Sequence, residues 1–549
     1  MIRKFKSINV ALAVILISTM SLSGCKPKQV IDDKTAAKTF SFSVTLPSSG
    51  ADDSNTMVQK AWLKEMETKM GMKLNIKFNY IPAGEYDEKA KLMISSNDLT
   101  DVFVTPFLAD TKPLAKQGML LELSQYSKLM PNYLNYVNKA TDGKIKAYNE
   151  EGKMFVLYQG ALPRFPADMG MLPNNMSSYR YDLFQKDKIK IPETLDEVYA
   201  VAKQLKQLYP DKYPINTRFQ GLNSVFYANH TANEIYWNGK EYVNGIQDDA
   251  YKQSLLFLNK LYSEKLLDPE YLLETNDTIK KKALNGSNFM WLNEWFTSPG
   301  AYTHEAKDGK VFAVTLFPDN PSAGKSWQSV QDVNNYDLST WGAFVIKAQT
   351  KEPENLVKFC DLQYSDDVTR LVTWGIEGTT YNIGSDGKPT FVDSIKKSAD
   401  PWAEGDKYGM RAATKSRPGL QMAADSSAYV DLAPNDYVIL NGQYKEVPLE
   451  KSDLLKIPFP KNDYMPPWIN GPQLQFTDAE NQQISTVMTS INTYRDEMQS
   501  KFIKGTESFN NWDKFQTKLK GMGDIEKILV IYNDTAKRYT EKKAKLYSK

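Results

Sequence analysis

Histidine and cysteine, which build most metal centres and catalytic triads, each occur only twice in 549 residues. His230 and His304 stand alone, with no HxxxH spacing and no cysteine cluster near them. A zinc site draws on three or four nitrogen or sulfur ligands, and a histidine triad needs its base oriented by a third group, so both chemistries lack parts here. Carboxylates are abundant. Glu294 and Glu377 are the pair a bond-cleaving glycosidase would nominate, since that reaction sets two carboxyl groups on either side of the scissile bond. Nothing in the spacing shows that these two converge. Aromatic residues, by contrast, are plentiful, with 10 Trp, 31 Tyr and 24 Phe, which favours a surface that grips by stacking over one that transforms what it holds.

The most specific chemistry lies at Cys25. Arg3, Lys4 and Lys6 precede an apolar run from Ile8 to Leu22 that is too short for a membrane span. This is the pattern of a secretory signal, and Leu22-Ser23-Gly24-Cys25 at its end resembles a bacterial lipobox, whose cysteine is lipidated and becomes the first residue of the mature chain. Residues 1–24 are expected to be removed and 25–38 to act as a polar tether. Cys360 then has no partner, and the apolar run Leu356–Cys360 reads as a buried helix face, where a thiol acts as a small hydrophobe.

The chain beyond Cys25 is long enough for more than one lobe. A net charge of +2 with scattered basic residues gives no footprint for nucleic acid, and Lys280–Lys282 reads as a solvated helix face. No later stretch is apolar enough to re-enter a membrane. Phe40, Phe42, Val44 and Leu46 alternate as a strand should. Ser54 is placed to cap a helix bearing Val58, Trp62, Met66 and Met70, and Leu74 to Tyr80 alternate again. Strand, helix, strand is a βαβ unit, so the opening third is α/β with a mainly parallel sheet. Pro163, Pro166 and Pro173 mark a crossing between lobes, and Gly375 and Gly378 a later one. Trp237-Asn238-Gly239-Lys240 between Tyr236 and Tyr242 is a hairpin signal. Helical periodicity returns near 479–501, 512–520 and 525–539.

The order of these pieces resembles the family-1 type extracellular solute-binding proteins of ABC importers, in particular the large carbohydrate-binding lipoproteins of Gram-positive bacteria. The segments that carry it are Ser95–Val102, Tyr179–Phe184 with Ile191–Glu197, Ala283–Met290, Trp374–Tyr381 and Phe502–Gly505. The resemblance implies a two-lobed, periplasmic-binding-protein-like α/β fold of type II, with lobes joined by crossing strands and ligand in the cleft. The expected division is 39–160 with 335–375 in the first lobe and 161–334 with 376–549 in the second.

It further implies a non-enzymatic receptor, monomeric and held at the outer face of the membrane by its lipid alone, that passes an oligosaccharide to an ABC permease. Candidate ligand contacts are Thr105 and Phe107 in the first lobe, Arg218, Phe219 and Phe226 after a second-lobe strand, and Asn293, Glu294 and Trp295 after Phe289-Met290. Trp374 and Glu377 lie near a crossing, Glu377 as a hinge hydrogen-bonder, and Trp402 and Trp468 are further cleft candidates. For each aromatic the competing assignment is core packing. Arg164, Arg218, Arg411 and Arg417 leave room for an acidic sugar. No cofactor or metal is expected. Some large relatives carry a DxNxNGxxDE calcium loop where this chain reads Tyr209–Asn216, too short and too poor in carboxylates for such a cage. A lipid-anchored glycoside hydrolase and a peptide receptor or adhesin remain as alternatives.

Overall fold

The computed structural model describes residues 38–48, 55–82, 85–105, 111–149, 151–162, 172–217, 221–295, 298–306, 308–331, 337–398, 401–410, 422–425, 427–432, 436–440, 443–447 and 465–547. Two sheets, each with its own hydrophobic core, make two α/β lobes.

The first sheet begins as the alternation requires. Phe40, Phe42, Val44 and Leu46 of the strand Thr39–Ser48 are all buried, and this strand pairs in parallel with Lys73–Pro82 over its full length. The helix Met57–Met70 joins them and presents Val58, Trp62, Met66 and Met70 to the core. Its cap is Thr56, whose hydroxyl accepts from the Gln59 amide at 3.3 Å; Ser54, the residue favoured by the sequence, lies outside the described residues. At the other end Gly71 takes φ 66°, a left-handed conformation that glycine adopts at little cost. Trp62 Nε1 donates to Gln363 Oε1 at 3.0 Å, which satisfies a buried polar atom and ties this helix to the end of Pro353–Leu362. Across the sheet the order is Ala423–Asp425, Leu157–Leu162, Asp337–Ile346, Val102–Val104, Thr39–Ser48, Lys73–Pro82. Cys360 is buried in this core, which pushes its thiol pKa up and leaves it unreactive.

The second sheet runs Gln443–Val447, Asp436–Leu440, Phe312–Thr315, Leu172–Arg180, Met290–Trp295, Ile215–Asn216, with Ser329–Gln331 paired to Leu172–Arg180. The helices Leu195–Leu208, Asp249–Ser263, Asp478–Lys504 and Trp512–Gly521 close its core. Below the end of Met290–Trp295, Lys282 does not lie on a solvated face as its neighbours suggested. It bridges Asp268 at 3.1 Å and the buried Glu274 at 2.5 Å; Asn216 and Asn288 donate to oxygens that Lys282 also contacts, and Thr278 Oγ1 donates to the other Glu274 oxygen.

The chain passes between the sheets after Leu162, after Gln331 and after Leu432. The last of these corrects the expected division. The described residues between 376 and 432 belong to the first lobe, because Trp374, Tyr381, Phe391, Ile395, Met410 and Ala428 pack with Val58, and Ala423–Asp425 pairs in parallel with Leu157–Leu162. Gly375 marks a tight turn, not a crossing. At φ 84°, a Cβ there would meet Thr380 Oγ1 at 2.3 Å and Met410 Sδ at 2.9 Å.

The C-terminal helix Ile525–Tyr547 spans both lobes. Its first half packs on the second lobe through Ile525 and Ile528. Its last turns reach the first, where Lys543 pairs with Asp142 at 2.8 Å, Tyr539 donates to the same carboxylate at 2.5 Å, and Lys542 donates to Tyr148 O at 2.9 Å. Gln475 Nε2 to Ile145 O at 2.7 Å and Lys112 Nζ to Phe476 O at 2.6 Å add to this bridge.

Asp361 gives a pH test of the first core. Burial raises its pKa to about 6, against the lowering effect of bonds from the Tyr133 amide at 2.8 Å and Asn132 Nδ2 at 2.7 Å. The folded state therefore holds the proton more tightly than the unfolded chain, whose aspartate titrates near 3.8, and stability falls as pH rises between these values. Relative to Asp361→Asn, the native chain should lose on the order of 3 kcal/mol in denaturant titrations between pH 4 and pH 7. Parallel stability profiles for the two proteins over that range would disprove the assignment.

Candidate functional site

Strand ends carry the exposed chemistry of the second lobe. Met290–Trp295 is buried for five residues and then exposes its last, with Trp295 46% accessible. The strand is antiparallel to Leu172–Arg180, with a register shift between Met176 and Ser178, so Leu292 and Asn293 face Ser177 alone. Such a bulge re-aims the residues after it. Ser177 Oγ donates to Leu292 O at 3.2 Å across it. Asn293 is buried, and among the described residues its amide has no hydrogen-bond partner. Glu294 is fully buried. Its Oε1 accepts from the Trp295 amide at 2.8 Å and its Oε2 from Tyr302 Oη at 3.3 Å, so it fixes the backbone beneath Trp295 and does not reach for a ligand.

A second aromatic group forms around Trp468, in the turn Pro467–Asn470. Its ring is half-buried and lies 5.2 Å from Tyr227, 5.5 Å from Tyr236 and 5.2 Å from Trp327, tilted or edge-on in each case. His230 covers Trp327 in a parallel stack at 5.0 Å, with its Nε2 2.7 Å from Lys325 O, which makes this histidine a packing residue. Glu234 opens the hairpin strand Ile235–Trp237. Its side chain is exposed, yet enough protein surrounds it that burial raises its pKa, with Arg495 opposing.

The remaining candidates divide in three. Thr105 is buried, its hydroxyl and amide both directed at Ala343 O, at 3.3 and 2.8 Å. Phe226 and Trp374, proposed as ligand contacts, are core residues. Phe226 stacks on Tyr251 at 5.2 Å inside the second core, and Trp374 packs on Phe391 with its Nε1 donating to Asp425 at 2.8 Å. Glu377 is exposed in the turn after Gly375, within the first lobe and away from any crossing, so it neither serves a hinge nor pairs with the buried Glu294. Phe107, Arg218 and Phe219 lie outside the described residues, as do Cys25, Arg164, Arg411, Arg417 and the side chain of Trp402.

Tyr227, Glu234 and Trp327, with Tyr532 of the helix Ile525–Tyr547 lying 5.4 Å from Tyr242, were not among the sequence-based candidates. The signal nearest to them was the Trp237-Asn238-Gly239-Lys240 hairpin with its aromatic flanks, which located the turn correctly but not what it faces. Among the described residues no group of three or more His, Cys, Asp or Glu could hold a metal ion, and no helix is long and apolar enough to cross a membrane.

Comparison with known proteins places this geometry. The model of the bacterial extracellular solute-binding protein family matches residues 54–369. The polygalacturonan/rhamnogalacturonan-binding protein YtcQ of Bacillus subtilis is 21% identical over 349 residues, 61% of this chain and 66% of that one. Lipoprotein LipO of the same organism is 23% identical over 406 residues, 70% of this chain and 75% of its own. Among solved structures, the S. pneumoniae ABC-transporter substrate-binding protein FusA in complex with kestose superposes with a TM-score of 0.66 at 16% identity, covering 92% of this chain and 100% of that chain. Likeness at that identity establishes the fold, an α/β architecture shared with solute-binding proteins across nearly the whole chain. With the family model matching more than half of its residues, the chain belongs to the bacterial extracellular solute-binding proteins, which capture ligands and do not catalyse.

Proposed function

We propose that this protein is a lipid-anchored, monomeric receptor that captures an oligosaccharide between its lobes and delivers it to an ABC permease. The observation that carries the reading is Trp295, a large aromatic left 46% exposed at the end of a buried strand and held there by Glu294. Core packing has no use for a ring in that position. A sugar offers a weakly apolar face of C–H groups to such a ring and a rim of hydroxyls to neighbours such as Asn293. The names of the relatives, one a polygalacturonan/rhamnogalacturonan binder and one solved with kestose, support a carbohydrate ligand. The lipobox-like Leu22–Cys25 and the lipoprotein LipO support the anchor.

Capture is a consequence of the two-lobe design. A sugar resting on the second lobe gains contacts from the first only when the lobes approach, so it binds the closed state more tightly and shifts the population toward it. The closed form is then the signal that a permease reads.

Titration with oligosaccharides should give a saturable change in tryptophan fluorescence and no new reducing ends. Trp295→Ala should weaken that binding about tenfold or more while changing stability by less than about 1 kcal/mol, as expected of an exposed side chain. Phe226→Ala should do the reverse, costing about 3–5 kcal/mol in denaturant titration as a core cavity. Unchanged sugar binding by Trp295→Ala would remove the platform; release of reducing ends would replace the receptor by a hydrolase.

A further inference from the structure

We propose that Tyr227, Glu234, Trp468 and Tyr532 form a second ring-binding subsite on the second lobe, one that takes an uncharged, hydroxyl-bearing sugar unit and disfavours a uronate. This rests on the oligosaccharide reading above and narrows it to a class of sugar.

Three polar groups lie around the hairpin and Trp468: Tyr227 is 5.2 Å from Trp468, Tyr532 is 5.4 Å from Tyr242 of the hairpin, and Glu234 precedes its first strand. Glu234 is fixed by its backbone, whose carbonyl accepts from the Gly245 amide at 3.1 Å, yet among the described residues its carboxylate has no hydrogen bond or ion pair. Tyr227 and Tyr532 both lie close enough to feel its charge, which helps hold their phenols protonated, and among the described residues neither hydroxyl has a partner. Among the described residues the cation within electrostatic reach of Glu234 is Arg495, and it is committed elsewhere. Its Nη1 donates to Asn233 O at 2.7 Å and Asn492 Oδ1 at 2.9 Å, and its Nη2 pairs with Asp496 at 2.8 Å. A site that receives an anion places a free arginine or lysine toward it. This one presents a free carboxylate, which accepts from sugar hydroxyls, and two phenols, which both donate and accept.

The platform completes it. The neighbours of Trp468 are tilted or edge-on, and among the described residues no ring stacks face to face on it, in contrast to Trp327 beneath His230. The site also lies beside a contact with the first lobe. The chain leaving Trp468 passes Pro472, whose carbonyl accepts from Tyr242 Oη at 3.0 Å, and reaches Gln475 and Phe476, which bond Ile145 and Lys112 across the lobes. A uronate placed here would set its carboxylate against Glu234 with no intervening cation among the described residues, where partial desolvation strengthens the repulsion.

The test is calorimetric titration of the full chain with an array of neutral oligosaccharides (cello-, xylo- and galactotetraose among them) and with tetragalacturonate, using the native protein, Glu234→Ala, Glu234→Gln and Trp468→Ala, with melting temperatures as control. A neutral member should bind, and Glu234→Ala and Trp468→Ala should each weaken it by about tenfold or more. Glu234→Gln, which keeps shape and hydrogen bonds, should retain the fold if alanine does not, lose less neutral-sugar affinity, and bind tetragalacturonate better than the native chain does. Tighter native binding of tetragalacturonate than of every neutral sugar, or neutral binding indifferent to Glu234 and Trp468, would overturn the subsite while leaving the receptor intact. No binding by any member of the array would overturn the oligosaccharide reading itself.

Discussion

Each lobe keeps its apolar surface to itself, and what passes between them is polar. Among the described residues no hydrophobic cluster contains side chains of both lobes. The bridge includes Lys543 and Tyr539 on Asp142, Lys542 on Tyr148 O, Gln475 on Ile145 O, Lys112 on Phe476 O, Lys116 on Asp478 and the Lys144 amide on Tyr547 Oη. Breaking one such bond exchanges it for water at a net cost of about 0.5–1.5 kcal/mol, whereas exposing a core phenylalanine costs several times that. Relative movement of the lobes is therefore inexpensive beside the unfolding of either. That is the condition a ligand needs if its own differential affinity is to decide which arrangement prevails.

The same separation explains where function sits. Inside the first lobe, Trp62 and Trp374 have their indole N–H groups satisfied by Gln363 and Asp425 and are buried on both faces. The candidate rings for a ligand are those that lie outside the hydrophobic clusters of the described residues. Trp295 is one, because the bulge at Leu292-Asn293 and the carboxylate of Glu294 hold the strand end in a position the sheet itself does not need. Trp468 is another, held from the side by rings that do not stack on it. Buried acids such as Glu294 and Asp361 commit their oxygens to a backbone amide and a side-chain donor each, whereas Glu234 has no hydrogen bond or ion pair among the described residues.

Periodicity made the first lobe legible. Phe40 to Leu46 and Val58 to Met70 fixed the βαβ unit because a strand repeats every two residues and a helix every 3.6, and one buried face enforces each pattern. The third crossing was misplaced for an equally local reason. Gly375 and Gly378 announce a break in the backbone, but the turn they make folds Tyr381–Phe391 back onto Trp374, a long-range packing event that no window of sequence contains. Lys282 was misjudged likewise: two lysines beside it face outward, and only Asp268 and Glu274 folding beneath it reveal an internal ion pair. Phe226 and Trp295 are both aromatic residues following a strand, and what separates them is the tertiary company of Tyr251.

Charge is where family likeness stops helping. One relative is named for an acidic polysaccharide and a structural neighbour was solved with kestose, a neutral trisaccharide, so likeness of fold does not decide the charge of a ligand. The decision falls to single side chains and their counterions. Where ions are bound, the receiving cation must be free in the empty protein. Arg180 is paired with Asp182, Arg495 with Asp496 and Arg538 with Glu480. Among the described residues these arginines are committed to carboxylates and Glu234 has no ion pair, which is the arrangement the proposed subsite needs to accept hydroxyl donors. Both candidate platforms lie on this lobe, so a bound sugar would keep its stacking contacts when the lobes part and lose those made by the other side. Opening then weakens the grip without abolishing it, which lets a receptor hold its ligand until the permease is reached and release it there.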